Sequence, residues 1–317
     1  MSESAAEREA AGETDVRQRW GVPRFGYYSN LAMLWIGSRV LWAGYFLVWF
    51  GAIYFFVFVR QARRASMAYL DRLRPGRSRL RRWWDTYRHM IEFGMLLLDR
   101  AVMLVSPRHG FEMRCDGREH LTRAMAQGRG VIMLTAHFGN AEAAAPNIFR
   151  MGVDLPIHIV MYQESSDATE RFHTKHRRML SNMNVISTTD PLVAGVKIIA
   201  ALRKGDVVAM RADRALTGKA VRATLLGAEV ELPAGPFMAA ALSGAPVVNV
   251  YTCRLGYRRY ACVISEMRLY GDDQPGTGEG REERVARAAQ DFAECLEGLI
   301  RKYPLQWGNF YDLWAKT

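Results

Sequence analysis

The stretch Val131 to Glu142, VIMLTAHFGNAE, constrains the fold more than any other part of the chain. Four apolar residues lead to His137, a small polar turn follows, and helix-forming residues begin at Ala141. This order predicts a buried β-strand that carries His137 to its C-terminal end, with a helix starting directly afterwards. Ligands bind at that edge of open α/β sheets. The stretch therefore predicts an α/β fold with a candidate site around His137.

The spacing of His137 and Glu142 decides how the two side chains can meet. On one straight helix, residues five apart point about 140° away from each other and cannot share a face. They can meet if His137 lies in the loop, Asn140 caps the helix and Glu142 lies in its first turn, where the helix dipole favours an ionised carboxylate. A carboxylate beside an imidazole fixes its tautomer and stabilises the imidazolium. The pair is predicted to act as a general base on a hydroxyl or amine, and a chance spacing is the alternative.

Short apolar strands alternate with helical patterns through the rest of the chain. Strands are predicted at Phe111–Cys115, Leu155–Met161, Val185–Ser187, Asp206–Arg211, Val247–Cys253 and Tyr260–Glu266, with two short ones about Gly227 inside Arg222–Leu232. Helices are predicted at Arg118–Gln127, Asp167–Asn182, Leu192–Arg203, Pro236–Ser243 and Glu282–Tyr303. This alternation predicts one mixed central β-sheet flanked by helices.

The N-terminal part of the chain predicts a membrane anchor. Residues 1–28 are polar and have no apolar period, so we expect a flexible tail. From Leu41 to Val59 there are 19 uncharged residues rich in Trp, Tyr and Phe, which is long enough to cross a hydrocarbon core as a helix. Residues 29–60 are therefore predicted to form a hydrophobic membrane helix. Spanning and interfacial placement both stay open because aromatic residues suit either, and a buried core helix is a third interpretation.

The residues after this apolar run predict its orientation. Between Arg60 and Arg82 there are nine arginines and one acid, Asp71. By the positive-inside rule this flank stays in the cytoplasm, so residues 61–317 are expected to form a cytoplasmic domain. No cleavable signal peptide is predicted, because the apolar segment starts late, is long and lacks a small-residue cleavage site.

The formal net charge of +11 predicts an anionic partner. A phospholipid surface or an acidic carrier protein fits better than nucleic acid, because the chain has no zinc-finger spacing and no aromatic RNA-binding motif. The four cysteines contain no CxxC pair. They indicate a reducing compartment and imply neither a disulfide framework nor a metal site.

His173 and His176 have a spacing that can place both on one helix face, which would suit a metal. Arginine and lysine neighbours surround them, and a cationic setting opposes a dication. A basic docking surface for an acidic carrier protein, or a solvated helix face, is the preferred interpretation.

Several segments resemble the bacterial lipid A late (lauroyl and myristoyl) acyltransferases, which belong to the lysophospholipid acyltransferase superfamily. His137-Phe-Gly-Asn-Ala-Glu142 resembles their H-x4-E motif. The segment from Lys197 to Arg214, which contains K-G-D-V-V and then R-A-D-R, is similar to the family's block of helix, K-G-(E/D)-V-V, strand and Asp. Pro304 to Trp314 is similar to the P-x-Q-W tail. The resemblance covers roughly residues 30 to 315.

This resemblance implies a glycerolipid acyltransferase-like fold and an acyltransferase (EC 2.3.1 class) at the bacterial inner membrane, with its catalytic domain on the cytoplasmic side. A fatty acyl chain would move from an acyl-carrier-protein or acyl-CoA thioester to a hydroxyl or amine of a lipid or glycolipid. No cofactor is expected. His137 and Glu142 would form the general-base pair.

Further residues are predicted to bind the substrates. The backbone N–H groups of Gly139 and Asn140 are candidate donors to the tetrahedral oxyanion. Arginines near the predicted sheet edge are candidates for phosphate groups of the donor or of the lipid headgroup, with a solvated face or a structural ion pair as the alternative for each. These candidates are Arg178, Arg211 and Arg214. Asp213 is a further candidate because it ends a strand at the edge that carries His137.

Two other function classes remain. One is a non-catalytic lipid-binding or scaffold member of a lipid biosynthetic complex. The other is a metal-dependent hydrolase that uses His137, Glu142 and the His173/His176 pair.

Overall fold

The computed structural model of the chain describes residues 41–105, 110–141, 155–161, 183–215, 218–272 and 278–314. The predicted tail, the apolar residues before Leu41 and the helix predicted at Asp167–Asn182 lie outside the described residues.

The described strands are numbered β1 to β9 in chain order. They are Glu112–Asp116, Val131–Thr135, Ile157–Met161, Met183–Ser187, Val207–Arg211, Ala220–Leu225, Ala228–Pro233, Val247–Gly256 and Arg259–Ile264. The described helices are numbered α1 to α7 in the same way. They are Leu41–Phe58, Arg60–Leu73, Arg79–Val105, Arg118–Met125, Pro191–Arg203, Ala234–Ser243 and Arg281–Lys302.

Seven of these strands form the central sheet, in the order β1-β9-β8-β2-β5-β3-β4. The neighbours from β8 to β4 pair in parallel, whereas β9 runs antiparallel to β8 and pairs in parallel with β1. The predicted mixed sheet is thus confirmed. The two strands predicted about Gly227 form the separate β6–β7 hairpin, whose turn residues Leu226 and Gly227 both have the positive φ that a type I′ turn requires.

Strand β2 lies inside the sheet and is buried on both faces. Ile132 and Leu134 belong to a core shared with α5, α6 and α7. Val131 and Met133 belong to a second core, which includes the buried residues of α4. A strand covered on both faces needs an uninterrupted apolar run, which explains why β2 shows no alternation.

The segment after α7 returns to the carboxyl edge of the parallel strands. Trp307 is 1% exposed and pairs with Phe138, the third residue after the end of β2. Tyr69 of α2 donates a hydrogen bond to the carbonyl oxygen of Pro304 at 2.7 Å. The C-terminal segment is therefore packed between the helical N-terminal part and the sheet.

His89 of α3 connects three parts of the chain. It is fully buried, with Nδ1 2.7 Å from Ser66 Oγ in α2 and Nε2 2.8 Å from the carbonyl oxygen of Trp307. Burial lowers the pKa of His89 to about 4, and the hydrogen bond to Trp307 acts in the opposite direction. The neutral ring fits both contacts, because Nε2–H donates to the carbonyl and Nδ1 accepts from the serine hydroxyl.

We expect His89 to make the fold sensitive to acid. His89 has a pKa of about 6.5 in the unfolded chain and about 4 in the folded chain. The stability contributed by its neutral ring is therefore present above pH 6.5 and is lost as the pH falls from about 6.5 to about 4. The loss is about 3 kcal/mol. His89→Gln keeps a donor for Trp307 but cannot titrate. Thermal unfolding from pH 7.5 to 4 should show the wild type losing its advantage over this variant, and two parallel curves would contradict the assignment.

Candidate functional site

His137 and Asp213 lie at the carboxyl edge of two neighbouring strands. His137 follows β2 by two residues, and Asp213 follows β5 by two residues. The strands pair in parallel with Thr135 opposite Arg211. Residues that lie equally far beyond the ends of two neighbouring parallel strands are brought together by the register of those strands.

The carboxylate of Asp213 holds His137 through both of its oxygens. Its Oδ1 lies 2.9 Å from His137 Nδ1, and its Oδ2 accepts the backbone N–H of His137 at 3.0 Å. Trp307 donates its indole N–H to the same Oδ2 at 3.1 Å. With Nδ1–H donating to the carboxylate, the ring presents an unprotonated Nε2 as a base. The His137 side chain keeps 29% of its exposure, whereas Asp213 is buried.

The electrostatics of this pair favour a neutral base beside an ionised acid. Burial lowers the pKa of His137 below its ordinary value of 6.5, with Arg214 and Arg211 acting in the same direction and Asp213 opposing them. Burial alone would raise the pKa of Asp213, but the charge and hydrogen bonds of His137, together with Arg214, hold it well below its usual range. Near pH 7 the imidazole is therefore ready to take a proton, and the carboxylate stabilises the resulting imidazolium.

The turn after His137 is fixed to the backbone on both sides. Gly139 donates its N–H to the carbonyl of Gln306 at 2.8 Å, and Asn140 donates its N–H to the carbonyl of Thr252 at 2.9 Å. Gly139 has φ +59°, and a Cβ there would overlap the carbonyl oxygen of Thr252. Glycine is required at this position by both conformation and space.

These hydrogen bonds correct one prediction made from the sequence. The N–H groups of Gly139 and Asn140 cannot serve as oxyanion donors in this arrangement, because backbone carbonyls from distant segments already accept them. Asn140 Oδ1 accepts no hydrogen bond among the described residues, and Asn140 Nδ2 instead approaches Met103 Sδ at 3.7 Å. The N–H groups that a cap by Asn140 would bind belong to residues 142 and 143, outside the described residues, so the cap stays a prediction.

Arg214 contacts the C-terminal segment. Its guanidinium donates to the carbonyl oxygen of Gly308 at 2.5 Å and lies 5.1 Å above the ring of Tyr311. Gly308 in turn donates its N–H to the carbonyl of His137 at 2.7 Å. The structure thus gives Arg214 contacts to the C-terminal segment beside the site, and its predicted binding of a phosphate group stays a prediction. Arg211, at the end of β5, is exposed.

Apart from Gly139 and Asn140, the predicted site residues divide into two groups. The structure brings His137, Asp213 and the two arginines of the β5 edge together. Glu142 and Arg178 lie outside the described residues, so their roles stay predictions. Asp213 was predicted to bind substrate, whereas the structure places it against His137, in the position predicted for Glu142.

Trp307 is the site residue that sequence reasoning missed. It occurs in the P-x-Q-W tail, and that motif was the available signal. Nothing local to the motif indicates that the indole N–H bonds a carboxylate 94 residues earlier in the chain.

Metal ligands are a separate question. Within the part of the chain that the structure describes, no group of three or more His, Cys, Asp and Glu side chains has an arrangement that could hold a metal ion. His173 and His176 are not among the described residues.

Comparison with known proteins adds one positive finding. Residues 78–316 match the model of a family described as bacterial lipid A biosynthesis acyltransferase. The match spans about three quarters of the chain. No curated protein matches the chain.

We expect Trp307→Phe to loosen the hold on Asp213. The variant removes a donor to a buried carboxylate, which should lower the free energy of unfolding by about 1.5–3 kcal/mol. Trp314→Phe is the matched control, because the indole N–H of Trp314 donates a longer hydrogen bond, of 3.4 Å, to the neutral carbonyl of Leu225. Denaturant unfolding of both variants measures the difference, and equal losses would show that the contact between Trp307 and Asp213 contributes nothing particular.

Proposed function

The chain belongs to the bacterial lipid A biosynthesis acyltransferase family, and on that basis we propose that it transfers a fatty acyl chain from an acyl-carrier-protein or acyl-CoA thioester to a hydroxyl or amine of its acceptor. Family membership makes the protein an acyltransferase for lipid A-like acceptors. The observation that carries the finer proposal is the geometry of His137, a partly exposed imidazole whose Nδ1 is bonded to the buried carboxylate of Asp213.

In the proposed first step, His137 Nε2 takes the proton of the acceptor hydroxyl while its oxygen attacks the carbonyl carbon of the thioester. The imidazole becomes an imidazolium, and the adjacent carboxylate of Asp213 stabilises the new charge. Asp213 is a positioning residue in this scheme, since it acts through His137 and has only 1% of its surface exposed.

In the second step, the tetrahedral intermediate collapses. The carbon–sulfur bond breaks, the ester bond remains, and the imidazolium returns its proton to the departing thiolate. The enzyme finishes in its starting state with a free thiol and an acylated lipid as products. The two steps use no covalent enzyme intermediate and no cofactor.

The oxyanion of the intermediate needs a donor other than the turn after His137. We assign this role to Arg211, whose charge acts on His137 and which is exposed at the end of β5. The same guanidinium suits a phosphate of the donor arm or of the lipid headgroup. Arg178 stays a candidate for the second phosphate, and Glu142 for a further carboxylate near His137.

The basic surface supports two anionic partners for this reaction. The net charge of +11 favours an acidic carrier protein as the donor and a phospholipid membrane as the place of work. One described helix, Leu41–Phe58, is long and apolar enough to cross a membrane. The apolar helix and the arginines that follow it support attachment of the protein to the bacterial inner membrane from the cytoplasmic side.

We expect His137→Ala to abolish acyl transfer and Asp213→Asn to lower kcat by about 10²–10⁴-fold, the range that a positioned general base supplies. The assay uses detergent-solubilised enzyme, labelled acyl-carrier protein or acyl-CoA, and the lipid extract of the host. Glu142→Gln in the same assay shows whether losing the Glu142 carboxylate lowers kcat as much as losing the Asp213 carboxylate does. Product formed by wild type but not by His137→Ala supports the proposal. If all variants bind lipid and none, wild type included, makes product, the scaffold interpretation replaces it.

We also expect the rate to depend on a histidine with a lowered pKa. The reaction needs neutral His137, so kcat/KM rises with pH through the pKa of this residue, below 6.5, and is then level. Asp213 raises that pKa, so the acidic limb of Asp213→Asn should move to lower pH. Rates from pH 5 to 8, with enzyme preincubated at each pH to correct for unfolding, test this. A limb above pH 7, or a shift to higher pH, would count against His137 as the base.

A further inference from the structure

Helix α1 packs along one narrow stripe, and large apolar residues are exposed over most of the rest of its surface. Its buried residues are Leu41, Gly44, Val48 and Ala52. On the opposite side of the helix lies a stripe of large apolar residues that are 48–68% exposed. We call these five residues the outer stripe: Trp42, Phe46, Phe50, Ile53 and Val57. A helix that is apolar all round needs an apolar environment on its outer side as well.

The packed side of α1 follows α3 in antiparallel direction along its length. Near the start of α1, the hydroxyl of Tyr45 donates to Asp99 Oδ1 at 2.5 Å. In the middle, the hydroxyl of Tyr87 donates to the carbonyl of Trp49 at 3.0 Å. Near its end, the ring of Phe56 lies 5.5 Å from the ring of Trp83. Both ends of α1 are therefore held against the same helix.

Helix α3 is part of the catalytic domain and carries charges beside α1. Glu92 forms an ion pair with Arg254 of β8 at 3.1 Å, and Asp99 lies 3.4 Å from the same arginine. Asp99 also accepts the hydroxyl of Tyr260 in β9 at 2.5 Å. The sheet, its ion pairs and α1 thus form one packed body.

This packing is incompatible with α1 crossing a bilayer. The helix is about 27 Å long, so a transmembrane α1 would bring α3 and the neighbouring strands into the hydrocarbon layer with it. Each charge held there costs several kcal/mol, and a mixed sheet with polar surroundings cannot be accommodated in lipid. An in-plane helix avoids this cost, since the outer stripe then enters the acyl-chain region while α3 and the sheet stay outside it.

We propose that α1 lies flat in one leaflet of an anionic phospholipid membrane, with its outer stripe among the acyl chains and the catalytic domain on the water side. The residues around the end of α1 fit the headgroup layer. Trp83 and Trp84 of α3 are exposed next to it, and aromatic rings of this kind are preferred at membrane interfaces. Arg60 and Arg81 are also exposed and complement anionic headgroups.

Depth measurements on the full-length chain test this placement without relying on enzymatic activity. Each outer-stripe residue is replaced by cysteine in turn and labelled with a nitrobenzoxadiazole fluorophore, after Cys115→Ser and Cys295→Ser remove the half-buried thiols. The protein is reconstituted in vesicles of phosphatidylethanolamine and phosphatidylglycerol. Nitroxide lipids with shallow or deep labels then quench the fluorophore according to its depth. All five positions are exposed, so the substitutions leave the core intact.

An in-plane helix places the five labels at one common depth, about 5–10 Å below the headgroup boundary. A transmembrane helix would spread them over about 22 Å along the bilayer normal, because positions 42 and 57 are fifteen residues apart. Such a gradient overturns the proposal. So does quenching at none of the positions, which would indicate that a second copy or another protein covers the stripe. A label at the exposed Glu282 is the control and should stay in water.

Discussion

The site depends on a buried negative charge, the carboxylate of Asp213. With 1% of its surface exposed, this group can remain ionised only if donors replace water. His137 supplies two of them and Trp307 the third. These donors belong to the end of β2 and to the segment after α7, so the sheet and the C-terminal segment must both be in place before the carboxylate is stabilised. Loss of any one donor leaves a buried charge partly unpaired, which is costly.

Much of the fold could be predicted because its signals are local. The apolar run of β2 and the turn at Gly227 act within a few residues of where they occur. The position of the site also followed from sequence, since residues after neighbouring parallel strands meet at one edge. The contact between His137 and Asp213 did not follow, because the two residues are 76 positions apart in the chain. The pairing of Glu142 with His137, inferred from spacing, stays a prediction.

The same limit explains the other differences. The N–H groups of Gly139 and Asn140 look available in the sequence, because the carbonyls of Gln306 and Thr252 that accept them come from distant segments. Composition likewise shows that α1 is apolar but not how it is oriented. The position of α1 depends on tertiary contacts with α3, and the hydrogen bond from Tyr45 to Asp99 is one of them.

The position of Trp307 along the chain has a consequence for biosynthesis. The ribosome makes α1 first, then the strand that carries His137, and only much later the segment that holds Trp307 and Gly308. The apolar helix is therefore complete while the imidazole of His137 still lacks part of its surroundings. A chain interrupted before Trp307 would lack one donor to the carboxylate of Asp213 and the N–H of Gly308 that holds the carbonyl of His137. Sequence order thus separates the synthesis of the apolar helix from the completion of the site in time.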